Sequence, residues 1–183
     1  MGELLNLKLL YNAVMKENKI IVYSSGKLIW NEKEYKCALG LNGVSADKQE
    51  GDGATPVGCF PLREVYYRAD RLNTIKTNLP VKILNEEDGW CDEPKDSAYN
   101  KFIKLPYPAN HENLWREDNI YNIIAVVGYN DKVVTKGAGS AIFLHIARPD
   151  YSPTAGCIAL AQGDLLEILK TIDQNTLICI KEK

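Results

Sequence analysis

The chain has 183 residues, 45% of them hydrophobic and 25% charged, with a formal net charge of −2. That length supports one domain with a sizeable core, and the composition is that of an ordinary globular protein rather than a disordered one. No basic stripe is present to bind nucleic acid, and no stretch approaches the ~20 apolar residues of a membrane span.

The amino terminus lacks a basic region and a small-residue cleavage site, so it does not read as an export signal. As written, the chain is expected in the cytoplasm; a leader already removed would place it facing the periplasm or the cell wall. The five cysteines, Cys37, Cys59, Cys91, Cys157 and Cys179, include no C-x-x-C pair. A zinc knuckle is therefore not indicated, and a disulfide framework is not expected at this size. Apart from Cys157, each cysteine is expected to be a small buried hydrophobe.

In chain order, Leu7, Leu10, Tyr11 and Val14 recur at helical spacing, which predicts an amphipathic helix over residues 1–18 ahead of one domain over 19–183. Lys19 to Tyr23 and Lys27 to Trp30 flank Ser24-Ser25-Gly26, a hairpin signal, and Glu34 to Leu39 continues as a third strand. Gly51 to Phe60 is a turn-rich loop leading into a strand that runs to Tyr67. Its glycines do not form a phosphate cradle, because no Gly-Lys-Ser/Thr and no helix follow. Lys136-Gly-Ala-Gly-Ser140 fails the same test.

Residues 68–119 show little periodicity beyond a strand over Pro80 to Leu84. Such a long irregular segment inside a compact domain predicts binding loops, with His111 and Trp115 as candidates for substrate contact. Ile120 to Gly128 and Ala141 to Ala147 predict buried strands. Asp164 is placed to cap a helix whose Leu165, Ile168, Leu169 and Ile172 share one face, and Thr176 to Ile180 is a last strand. The sum is a β-rich α+β single domain with a few peripheral helices near its two ends.

The chemistry concentrates late in the chain. His145, one of only two histidines, precedes Cys157 by twelve positions, with a Pro-containing turn between them. A thiol is a poor nucleophile until it loses its proton, which a neighbouring imidazole can accept. Alternation puts Phe143, His145 and Ala147 on one face of their strand. Gly156 can take a strained turn and, with Cys157, aim backbone N–H groups at an oxyanion. Isolated histidines give no metal-ligand spacing, so no metal is expected.

Thr154-Ala-Gly-Cys-Ile-Ala-Leu160, preceded by His145, resembles the signature of the L,D-transpeptidase catalytic domain family (YkuD-like), and Gly53-Ala-Thr-Pro-Val-Gly-Cys-Phe60 is similar to its Thr-Pro-x-Gly-x-Phe element. The resemblance covers roughly residues 19–180. It implies that Cys157 attacks a peptidoglycan stem tetrapeptide, releases D-alanine protonated by His145, and holds a thioester that an amine or water resolves. It implies a mixed β-sandwich or barrel of that catalytic type, Gly156 and Cys157 as oxyanion donors, and the carbonyl of Ile146 or a nearby residue as the group orienting the imidazole, with no cofactor; Thr154 is a further candidate for substrate contact.

Familiar members carry His and Arg where this chain has Ala155 and Ala159, which marks a divergent branch. Arg148 is expected to restore part of the missing positive charge. Two alternatives stand beside cross-linking: an L,D-carboxypeptidase trimming soluble muropeptides, and a wall-peptide binding module with little turnover.

Overall fold

A computed structural model describes residues 18–183 of the protein. The helix expected over residues 1–18 therefore lies, but for its last residue, outside the described residues.

The strands are β1 (Lys19–Tyr23), β2 (Lys27–Trp30), β3 (Lys33–Ala38), β4 (Val44–Ser45), β5 (Thr55–Pro56), β6 (Gly58–Tyr67) and β7 (Val81–Ile83). They continue as β8 (Asp88–Cys91), β9 (Lys101–Lys104), β10 (His111–Asn113), β11 (Ile123–Val127), β12 (Phe143–Ile146), β13 (Ile158–Leu160) and β14 (Leu177–Lys181). One α-helix, α1 (Gln162–Leu169), lies between the last two strands. Local turn chemistry sets the first hairpins. Gly26 supplies a φ of +80° between β1 and β2, and Asn31 and Glu32, both at positive φ, join β2 to β3 in a two-residue reversal.

The principal sheet runs β11-β12-β13-β3-β2-β1-β14-β6-β7, and an added pairing of β11 with β6 closes all but β7 into a barrel. Closure removes the free edges that an open sheet would expose. Alternation then sorts side chains between two environments. Ile123, Ala125, Val127, Leu144, Ile146, Ile158 and Leu160 point inward with Ile20, Val22, Leu28 and Ile178, and α1 adds Leu165, Ile168 and Leu169 to the same core. Each such aliphatic chain, fully buried, contributes about 1.5–3 kcal/mol.

The alternate residues, Ile124, Val126, Phe143 and Cys157, face outward and still are buried, in a second cluster with Tyr66, Trp90, Leu114 and Tyr121. What covers them is the middle of the chain. Residues 68–119, expected as loops apart from the strand that appears as β7, also contain a three-stranded antiparallel sheet in the order β10-β8-β9.

Other expectations need correction. The segment from Ile120 starts as a 3-10 turn, Asn119–Tyr121, before β11 begins. The amino end of α1 is set at Ala161, with Asp164 inside the first turn, where its charge favours the helix dipole without capping it. Cys59 and Cys179 are register partners on β6 and β14 and form a disulfide, so neither is the free buried thiol expected; Cys37, Cys91 and Cys157 are free and buried. None of the described helices is long and apolar enough to cross a membrane.

Candidate active site

β12 and β13 lie side by side and parallel, with Leu144, His145 and Ile146 in register with Ile158, Ala159 and Leu160. Cys157 stands one residue before this ladder, on the same outward face as Phe143 and His145. The turn between them thus does what the spacing requires: it returns the chain so that imidazole and thiol share one wall. Both line a cavity of about 700 Å³ roofed by β10 and the segment after it, with His111, Glu112, Arg116 and Tyr121 among its other walls.

His145 is 4% exposed. Its Nδ1 lies 2.9 Å from the Ile146 carbonyl oxygen. A carbonyl only accepts, so Nδ1 carries the proton and Nε2 is left as the basic nitrogen. Burial pushes the imidazole down to about 4; the Ile146 carbonyl opposes this, while Arg148 and Arg116 reinforce it.

Cys157 is 7% exposed. Its thiol donates to the Ala141 carbonyl at 3.2 Å and accepts from the Phe143 N–H at 3.3 Å. Burial, and next the Glu112 carboxylate, push it up to about 12, against smaller opposing effects from the Phe143 N–H, Tyr121 and Lys48. Burial therefore favours the neutral form of both groups, the thiol of Cys157 and the imidazole of His145.

The turn before Cys157 is held by Thr154. Its hydroxyl donates to the Cys157 carbonyl at 2.7 Å and accepts from the Gly156 N–H at 3.1 Å. Its backbone bonds Leu39 and Leu41. Thr154 lines the cavity, but its hydroxyl is committed to the turn instead of standing free for substrate. The Gly156 N–H, expected to serve an oxyanion, is engaged too, whereas the Cys157 N–H has no acceptor among the described residues. Gly156 has a φ of +144°, and a Cβ there would sit 2.9 Å from the Ala54 carbonyl oxygen. The upstream Thr-Pro element is thus the surface against which the cysteine turn is moulded.

Of the remaining candidates, Arg148 is exposed at the cavity wall, and His111 lines it with Nδ1 donating to the Ala109 carbonyl at 2.7 Å. Trp115 is not on the wall; its ring stacks on the Arg68 guanidinium at 3.3 Å, and Arg68 is held by Asp70.

Comparison with known proteins agrees with this architecture. The family profile described as the L,D-transpeptidase catalytic domain (YkuD) matches residues 13–180. The chain belongs to the L,D-transpeptidase catalytic domain family. Solved structures similar to it include the helical cell shape determining protein Pgp2 from Campylobacter jejuni, at 15% identity and a TM-score of 0.46, covering 90% of this chain and 47% of that one. An L,D-transpeptidase from Mycobacterium tuberculosis H37Rv is 9% identical, with a TM-score of 0.43 over 90% of this chain and 57% of that one. One from Mycobacterium smegmatis is 12% identical, with a TM-score of 0.40 over 90% of this chain and 58% of its own. The chain spans about half the length of these structures. No curated protein matches the sequence.

In this L,D-transpeptidase domain, several cavity residues gave no signal in the sequence. Tyr121, 4% exposed, meets the His145 ring edge-on with centroids 5.1 Å apart, and its hydroxyl donates to Glu112. Burial raises the Glu112 and Asp92 carboxyls, and Asp92 Oδ1 is buried without a partner among the described residues. Glu50 accepts from Ser140 and Tyr99. Glu50, Asp92 and Glu112 lie in polar segments with no periodicity, Tyr121 at the start of an apolar run reads as a core residue, and only tertiary closure brings them to the cavity of Cys157.

Proposed function

We propose that this domain is a cysteine-dependent acyl-transfer enzyme acting on peptidoglycan stem peptides. The observation that carries the reading is that Cys157, one residue before β13, and His145, on the neighbouring β12, line one cavity, with Nε2 left as the free base. Family membership supports it, and no metal or organic cofactor enters the chemistry.

In this mechanism the thiol proton passes to Nε2 as Sγ attacks the carbonyl carbon of the stem peptide. The oxyanion that develops is met by the Cys157 N–H, the open donor of the turn; one such donor is worth roughly 10²–10³ in rate. The carbon–nitrogen bond to the terminal D-alanine then breaks, and the imidazolium returns its proton to the leaving amine. A thioester remains on Cys157. An amine or a water gives up a proton to Nε2, attacks the thioester, and the thiolate leaves and is reprotonated. Because burial favours the neutral form of both thiol and imidazole, proton transfer is coupled to attack and does not precede binding.

The Cys59–Cys179 disulfide favours an oxidising compartment, since such bonds are rare where thiols are kept reduced. On that ground we propose that the working protein faces the periplasm or cell wall. Separation of products after incubation with a diaminopimelate tetrapeptide tests the reading. Tripeptide with D-alanine is the product of an L,D-carboxypeptidase, and a cross-linked dimer that of a transpeptidase. Intact, folded protein that yields neither is a binding module, and the enzyme reading then fails.

A further inference from the structure

Two alanines stand where the family pattern would put polar side chains around the nucleophile, and the structure offers another group in their vicinity. Tyr121 ends the 3-10 turn that leads into β11, and Ile124 of that strand is in register with His145. The ring of Tyr121 lies edge-on to both outward residues of β12, at 5.1 Å from His145 and 6.0 Å from Phe143. The Arg116 guanidinium packs 5.3 Å from its centroid and is itself held by Asp118 through two bonds. The Tyr121 hydroxyl donates to Glu112 on β10, so a single side chain ties the barrel face to the sheet above it.

The only hydrogen bond to the imidazole among the described residues is the Nδ1 contact with Ile146. One bond at one nitrogen fixes the tautomer but leaves the ring plane free to rock. An aromatic edge on the ring removes that freedom, and such contacts are worth about 0.5–1.5 kcal/mol beyond their buried area.

We propose that Tyr121, anchored by Glu112, is a positioning residue that holds the His145 imidazole in line with Cys157, in the place of the polar side chains that Ala155 and Ala159 do not supply. The proposal rests on the acyl-transfer reading of the Cys157–His145 pair. The charged and titratable groups acting on these two residues are Glu112 on β10, Tyr121, Arg116 and Asp118 from the segment before β11, Arg148 after β12, and Lys48 before β5. The Glu112 carboxylate holds the proton on the thiol, while the Tyr121 ring acts on the imidazole that takes the proton off.

That opposition gives a test that needs no peptide. In the full chain, the rate at which iodoacetamide alkylates Cys157 is followed from neutral to alkaline pH, with the modified cysteine located by mass spectrometry. Tyr121→Phe is expected to slow alkylation roughly tenfold, part of the ~10²–10⁴ that general-base help supplies. Glu112→Gln keeps an acceptor for the Tyr121 hydroxyl and removes the charge, so it is expected to speed alkylation. In a His145→Ala background the effect of Tyr121→Phe should shrink to less than about threefold.

A purely structural role gives a different pattern, because loosening the site exposes the thiol and both substitutions then speed alkylation. Tyr121→Phe at or above the parent rate, or an undiminished effect without His145, would overturn the proposal. If Tyr121→Phe does not fold, slower alkylation in Glu112→Gln would do the same. Failure to turn over a stem peptide counts against the acyl-transfer function and leaves these rates readable.

Discussion

Ala159 is the register partner of His145 across the β12–β13 ladder, and it is 1% exposed. The position nearest the imidazole on the neighbouring strand therefore brings no charge. Among the charged groups, Arg148 has the largest effect on the imidazole, followed by Arg116. Arg116 is committed to Asp118, whereas Arg148 is exposed at the cavity wall.

Arg148→Ala is accordingly expected to lower kcat/KM on a stem peptide by about tenfold, the loss of one charge-assisted contact. Steady-state kinetics on the purified variant checks this. Turnover within twofold of the parent would show that Arg148 does not stand in for the absent arginine.

Thr154→Val keeps shape and removes a hydroxyl that serves two backbone groups of the cysteine turn. Leaving those groups unpaired is expected to cost about 1–3 kcal/mol in chemical denaturation. Since the turn aims the Cys157 N–H, kcat should fall by at least roughly tenfold with KM little changed. A fall confined to KM would mean that Thr154 contacts substrate.

The pH dependence of stability has a definite sign. In the fold His145 titrates at about 4 against an ordinary 6.5, so the unfolded chain binds the proton first as pH falls. The neutral imidazole is compatible with the fold above the ordinary value, and stability is lost between 6.5 and about 4. The loss attributable to this group is about 3 kcal/mol. It should appear as the difference between the parent and His145→Gln in denaturation series across that range, with the two curves converging in slope above it. Parallel curves throughout would contradict a buried neutral imidazole.

The elements legible in the sequence are those written in local patterns. Alternation located β1, β2, β3, β6, β11, β12 and β14 because each carries β-branched or aromatic residues on a face that the barrel buries. His145 and Cys157 were legible as a motif with a turn between them. The β10-β8-β9 sheet was not, since strands such as Asp88–Cys91 and His111–Asn113 are too short and too polar to show a period. Nor was the Cys59–Cys179 bond, which joins residues 120 apart through a register fixed only when β14 meets β6. Tyr121 and Glu112 belong to the same class: their pairing is a consequence of laying one sheet over another.

The central claim is that Cys157 becomes acylated by a stem peptide. Intact-protein mass spectrometry after brief mixing with a diaminopimelate tetrapeptide reads that event directly. The account predicts an adduct equal to the tetrapeptide less D-alanine, lodged on Cys157, discharged with time and absent from Cys157→Ala. A folded protein that gains no mass and releases no D-alanine, or an adduct that persists in Cys157→Ala, would contradict it.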